Sequence, residues 1–212
     1  MAVGASFSRL FAHAHVSLVT PEHGFLSGHA SAVRRQALAE LSKRGILVHF
    51  AEAVGDADGL LLSDGTHLPV DCVIAATGSR APRWLTRSGL ARSSGDFVAV
   101  GPDLRSTSHP SIFAAGDIID RVDRDLPRSG VHAVKAGPIL AANLRAVLCG
   151  APLRHYMPRA RTLYILATGD RRAILSWGKF TSYGSWVWRL KDRIDRHFVD
   201  RYRRTVEEAA PR

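Results

Sequence analysis

Apolar positions along this chain switch between two spacings, and each switch marks an element. His15 to Thr20 is a short β-type run closed by Pro21. Ser31 to Arg44 then carries Val33, Ala37, Leu38 and Leu41 at helical spacing, with Gly45 as its stop. Ile46 to Phe50 predicts the next strand. Leu60–Leu62 and Thr66–Leu68 flank Asp64-Gly65, a pair suited to a tight hairpin turn. Cys72 to Ala76 is nearly unbroken in apolar character, the pattern of a strand buried on both faces of a sheet.

Gly78 to Gly89 contains Pro82 and reads as a crossing between structural units. Phe97–Val100 and Ser111–Ala115 predict short strands. Val131 to Leu148 predicts a long helix, because Val134, Ile139, Leu140, Leu144 and Val147 can share a face and Gly150 follows; Pro138 should disturb one turn. Thr162–Ala167 and Arg172–Ser176 suggest two strands joined at Gly169-Asp170, and a helix closes the chain over Ser185 to Val206. Alternating strands and helices with an inserted hairpin define an α/β architecture.

With 46% hydrophobic and 23% charged residues, the chain falls in the ordinary globular range, which argues against disorder. Its apolar runs are far shorter than the roughly 20 residues of a membrane span. The first residues lack the charged-apolar-small order of a secretory signal, so a cytoplasmic location is the expectation. Cys72 and Cys149 form no paired redox or metal spacing and read as buried, reduced thiols. The net charge of +10 is concentrated near the end: Arg189 to Arg204 holds seven Lys or Arg against three Asp. These cations sit in no known nucleic-acid motif, which argues against such a partner. Trp186, Leu190, Ile194, Phe198 and Tyr202 step by four beside them. The resulting basic, aromatic helix suits either an anionic bilayer surface or packing against its own domain or a second subunit.

Three short segments carry candidate chemistry. In Val16 to Glu22 an acid follows a strand, where dinucleotide folds place a carboxylate on the adenosine ribose; a surface glutamate would look the same. As a ribose ligand, Glu22 would favour NADH over NADPH, because a carboxylate repels a 2′-phosphate. The run Val73-Ile74-Ala75-Ala76 stops at Thr77-Gly78, where the missing side chain lets a ligand or neighbouring backbone come close, as also at a plain turn. Ser108 to Asp117 delivers Gly116 and Asp117 to a strand's carboxyl end, the place where open α/β sheets bind ligands. There Asp117 can accept hydrogen bonds from a polyol.

Ala76-Thr77-Gly78, followed later by Ile112-Phe113-Ala114-Ala115-Gly116-Asp117, resembles the FAD-dependent pyridine nucleotide-disulfide oxidoreductases, type II NADH dehydrogenases among them. Further matching segments are Ser129 to Val134, Gly137-Pro138, Ala141 to Leu144, Ala167 to Asp170 and Trp188 to Arg196. Together these are most similar to the oxidoreductase proteins or domains associated with selenide, water dikinase, and to their C-terminal portion. The resemblance implies an incomplete FAD/NAD(P)-binding, Rossmann-like three-layer fold with a C-terminal α+β extension. Residues 1–78 would be a partial NAD(P)-binding domain, 79–150 the returning segment of the FAD domain, and 151–212 a strand pair plus the basic helix. Gly116 and Asp117 would meet the flavin's ribityl chain. The next helix, starting at Gly130, would aim its positive end at the ring and bring Val131, His132 and Ala133 beside it. Glu22, Thr77 and Gly78 would belong to the NAD(P) side. His132 also reads as a capping or packing histidine.

Such relatives carry two G-x-G-x-x-G loops, yet none of the eighteen glycines here is paired with another across a single residue. Met1 to Leu10 resembles the interior of the helix that follows the second loop. Ala136 stands where a polar residue near the flavin edge is expected. No C-x-x-C pair supports thiol chemistry, and no catalytic residue is assigned. Two function classes follow. One is part of an enzyme that passes hydride from NAD(P)H through FAD to an acceptor such as a quinone, completed by an N-terminal half or a second subunit. The other is a non-catalytic association or membrane-surface module that kept the fold.

Overall fold

A computed structural model describes residues 14–159 and 161–209. The segment Met1 to Leu10, expected as helix interior, lies outside them. The chain clusters into two compact units, one formed by residues up to Val73 with those from Arg161 onward, the other by Ile74–Ala160. The sequence divides instead at 78 and 150. In the structure the C-terminal strands pack with the N-terminal segment rather than alone, because Ile174 joins Phe25, Val33, Ala37, Leu41 and Ile46 in one buried cluster.

In the first unit, β1 (Ser17–Thr20) and β2 (Leu47–Phe50) pair in parallel, Ser17 opposite Leu47 and Thr20 opposite Phe50. Helix α1 (Ser31–Ser42) connects them and buries Val33, Ala37 and Leu41, which recur every four residues on one face. It stops where Gly45 takes φ +66 and Ile46 N–H returns to the Leu41 carbonyl. A meander follows: β3 (Ala53–Asp56), β4 (Gly59–Leu62) and β5 (His67–Pro69). The hairpin over Leu60–Leu68 is present, with Gly65 at φ +86, and β3 adds a strand that the sequence pattern does not announce.

The second unit pairs β6 (Val98–Val100) with β7 (Ile119–Arg121) in parallel. Helix α2 (Gly130–Leu148) contributes Ala136 to the core of Leu85, Val98, Val100, Leu104, Ile119 and Tyr156. Pro138 leaves the helix continuous. Its missing N–H frees the Val134 carbonyl, and Val134 is exposed, so water can satisfy that group.

Two predicted strands are corrected. Residues 72–76 form no strand and are exposed, with Ile74 at 63%. Ser111–Ala115 makes only an isolated bridge, Arg105 to Phe113. Both runs have strand composition, but among the described residues no strand lies beside them to complete a ladder. The same opening corrects the cysteines: Cys72 and Cys149 are both exposed.

The first unit ends with β8 (Leu163–Ala167), β9 (Ala173–Trp177) and β10 (Phe180–Gly184) in the antiparallel order β10-β9-β8, followed by α3 (Ser185–Ala209). The third strand is absent from the sequence reading. Val187, Trp188 and Leu190 pack α3 onto Ala173 and Leu175, whereas Trp186 and Ile194 of the step-by-four stripe are 47% and 45% exposed. Among the described residues no helix is long and apolar enough to cross a membrane.

Candidate functional site

The second unit brings two of the three sequence segments together. Gly116 adopts φ +81, a conformation that disfavours any side chain, and turns the chain after Ala115 into a short 3-10 turn, Gly116–Ile118, that carries Asp117. The Asp117 carboxylate is exposed and accepts a hydrogen bond from Ser79 Oγ at 3.1 Å. Ser79 follows Thr77 and Gly78 directly, and Gly78 has φ +90. The end of the first motif therefore lies against the end of the second.

The start of α2 forms the other side of a small, shallow cleft. Its lining includes Gly116, Asp117, Leu126, Ser129, His132 and Ala133. Ser129 is the N-cap residue, and its carbonyl accepts from His132 and Ala133 N–H at 3.0 and 3.1 Å. Its hydroxyl caps nothing; Ser129 Oγ is shielded from solvent without a hydrogen-bond partner. The first amides of a helix have no acceptor within it, so Gly130 and Val131 present free N–H groups at the positive end of the dipole. No acid occupies the first turn to neutralise them. Arg128 fixes this helix start by pairing with Asp120 and lying 3.4 Å from the Phe97 ring centroid.

His132 is buried, and its Nδ1 lies 3.0 Å from the Tyr156 hydroxyl. Burial, with Lys135 adding repulsion, holds the imidazole below its usual pKa range, and burial raises Tyr156. The ring therefore supports the wall of the cleft in its neutral form. Val131 and Ala133 are half-buried at the same end, and Ala136 is buried one turn on.

Glu22 lies in the other unit, exposed, in the turn after β1; its main-chain carbonyl accepts from Arg34 at 3.0 Å. Ser79, Ser129 and Tyr156 join the site without being candidates on sequence pattern alone. Ser79 follows Thr-Gly directly and Ser129 is a favoured N-cap type, so both left a signal. Tyr156 left none, because its contact with His132 is tertiary.

Motif ends meeting at a helix start, in a mixed α/β fold with parallel strand pairs, are the arrangement of a dinucleotide-binding fold. The chain belongs to the pyridine nucleotide-disulphide oxidoreductase family, whose pattern matches residues 1–137. No curated protein sequence matches it. Among solved structures, the covalent putidaredoxin reductase–putidaredoxin complex is 21% identical with a TM-score of 0.60, over 82% of this chain and 43% of that one. A FAD-dependent pyridine nucleotide-disulphide oxidoreductase from Desulfovibrio vulgaris is 19% identical with a TM-score of 0.64, over 83% and 45%. An engineered water-forming NADPH oxidase bound to NADPH is 18% identical with a TM-score of 0.60, over 82% and 40%. These likenesses establish the fold, and the chain spans less than half the length of each of the three structures.

Proposed function

We propose that the chain supplies the returning half of a flavin site in an FAD-dependent NAD(P)H oxidoreductase. The observation that carries this is the 3.1 Å contact between Ser79 and Asp117 beside the start of α2. The donor set fits one part of FAD. Asp117 can accept from ribityl hydroxyls, while the unpartnered Ser129 hydroxyl and the amides of Gly130 and Val131 can donate to the electron-rich edge of the ring. Val131, His132 and Ala133 would then flank the ring, with His132 acting through its hold on Tyr156. The bound flavin would accept hydride from the nicotinamide and pass electrons to an acceptor, for which a quinone is the candidate. Thr77, Gly78 and Glu22 are assigned to the nicotinamide side, Glu22 favouring NADH.

The diphosphate has no glycine loop in this sequence, so we assign that role to an N-terminal half or a second subunit. Residues 1–78 and 79–150 keep their roles as nicotinamide and flavin segments in this reading, and 151–212 its role as an extension. Association with a selenide, water dikinase rests on the resemblance alone. The test is to purify the chain with a co-expressed segment carrying the two glycine loops of a longer relative and titrate FAD by fluorescence quenching. Asp117→Ala should lower the affinity at least about tenfold. Unchanged affinity in that variant would remove the flavin assignment.

A second reading is favoured by α3. Arg189, Arg193 and Arg196 are exposed beside exposed Trp186, Ile194 and Val199, a composition suited to an anionic bilayer surface and to a peripheral location on the cytoplasmic face of a membrane. Co-sedimentation with phosphatidylserine vesicles, absent with phosphatidylcholine alone, is the expected result; indifference to both removes this reading.

A further inference from the structure

Strand β10 is the outer strand of its sheet, so one of its edges has no strand beside it. The turn before it has two residues, Gly178 and Lys179, with Gly178 at φ +59. A two-residue hairpin closes on a hydrogen-bonded pair, here Trp177 and Phe180, and bonding then alternates along the ladder. Phe180, Ser182 and Gly184 therefore direct their main-chain groups to β9. Thr181 and Tyr183 turn theirs outward, and among the described residues no backbone group bonds them there.

These residues border a groove of about 460 Å³. Thr181, Ser182 and Tyr183 form one wall, and Ala32, Arg35, Gln36 and Ala39 of α1 form the other. The four helical residues recur at i, i+3, i+4 and i+7 and so line the groove along its length. Two are alanines, which leave space for a main chain. The groove runs between the flank of α1 and β10, whose outer edge has no strand beside it.

Its charge is one-sided. Arg35 is exposed and has no ion pair among the described residues. The Arg172 guanidinium lies 5.5 Å from the Tyr183 ring centroid. The one acid of α1, Glu40, is buried and already paired with Lys43 and Arg44.

We propose that this groove binds an extended acidic peptide segment of a partner protein, added to β10 as a further strand with a carboxylate beside Arg35. Only an extended chain offers donors and acceptors at the two-residue spacing of Thr181 and Tyr183; a helix has its main chain already bonded. Pairing of β10 with the β10 of a second copy would bring the same cations to one seam, which disfavours it. The groove shares no residue with the flavin cleft and does not depend on that assignment.

A random short-peptide display library selected on the intact chain, followed by fluorescence titration of the enriched peptides, tests the site. Enriched sequences should combine β-branched residues with Asp or Glu. Arg35→Glu should weaken their binding at least about tenfold. Thr181→Pro removes an N–H that β9 does not use, and it should weaken binding equally while keeping the parent's circular dichroism. Peptides N-methylated at the amides facing β10 should not bind the unmodified chain, a result independent of variant folding. Binding should also protect the Thr181 and Tyr183 amides from hydrogen exchange. The proposal is overturned if no peptide is enriched, if binding is indifferent to Arg35→Glu and to N-methylation, or if Thr181→Pro dissolves a dimer seen by sedimentation.

Discussion

The two segments that meet near Asp117 differ in how much of their structure each carries with it. Helix α2 makes its own hydrogen bonds over Gly130–Leu148, buries His132, Ala136 and Asn143, and stands as a formed wall. The run ending at Thr77-Gly78 is more uniformly apolar, yet it lies outside any strand and exposed because its bonds must come from a neighbour. A helix is satisfied within one segment, whereas a strand is satisfied only by another segment. The formed wall supplies the Ser129 hydroxyl and the helix amides; the unladdered wall supplies only the Ser79 contact.

The largest effect should come from loosening the formed wall. Asn143 is fully buried; its Nδ2 donates to the Asp103 and Arg154 carbonyls at 2.7 and 2.8 Å, and its Oδ1 accepts from Arg154 N–H at 2.8 Å. Asn143→Ala removes all three part-buried bonds and leaves a void at a fully buried position, a cost of about 3 kcal/mol. Urea denaturation followed by Tyr and Trp fluorescence measures it, and a loss below about 1 kcal/mol would mean that α2 is held by its apolar face alone.

Helix α1 in the other unit sharpens the comparison because charge, rather than an amide, fastens it. Burial alone would raise the Glu40 pKa, but hydrogen bonds from Arg44 and Lys43 outweigh it and bring the carboxyl down to about 2. Arg44 also pairs with Asp170, tying the helix end to the turn between β8 and β9. Glu40→Gln should cost about 2 kcal/mol at neutral pH, less than Asn143→Ala because Arg44 keeps its second partner. The folded pKa lies below the unfolded one, so this stability is present above pH 4.5 and is lost as the pH falls toward 2. Denaturation midpoints across that window should fall more steeply in the parent than in Glu40→Gln.

Locality also decided what could be read from the sequence. Both helices of the two cores were legible in extent to within a few residues, but only α1 buries its expected face of Val33, Ala37 and Leu41. Of the α2 stripe, Ile139 and Leu140 pack on the core while Val134, Leu144 and Val147 are exposed, and the buried positions are His132, Ala136 and Asn143. The Leu60–Leu68 hairpin was legible because its turn lies between its strands. Phe180–Gly184 was missed because its polar, glycine-ended pattern has meaning only against β9. Residues 72–76 and 111–115 erred the other way: an apolar run reports a need for burial without naming what will cover it. In the site, resemblance gave Gly116 and Asp117 to the flavin side and Thr77 and Gly78 to the NAD(P) side, while the Ser79–Asp117 contact and the His132–Tyr156 bond are tertiary and follow from neither periodicity nor resemblance.

That bond should give a smaller effect. Tyr156→Phe removes the hydroxyl 3.0 Å from His132 Nδ1 and should cost about 1 kcal/mol at pH 8. The imidazole's folded pKa is lowered by burial, so its neutral form is the one the fold accepts. The associated stability is complete above about 6.5 and declines as the pH falls through and below that value. The decline should persist in Tyr156→Phe, where burial remains, and be reduced in His132→Asn, where nothing titrates. Denaturation of all three proteins between pH 8 and about pH 5 separates the hydroxyl's contribution from that of burial.

The smallest expected change concerns the unladdered wall and bears most directly on why the two walls differ. Ile74 is 63% exposed in a segment without strand partners, so Ile74→Lys should shift stability by no more than about 0.5 kcal/mol in the chain alone. If a segment from an N-terminal half or second subunit completes the ladder, the same side chain becomes part of a sheet face covered on both sides, and a lysine there carries a large desolvation cost. Ile74→Lys should then abolish co-elution with that partner while leaving the isolated chain's denaturation curve in place. Hydrogen exchange gives the matching readout: amides 73–77 should exchange quickly in the chain alone and slowly in the complex. A loss of several kcal/mol in the isolated chain would instead show that Ile74 is already packed, and the contrast with α2 would no longer rest on a missing neighbour.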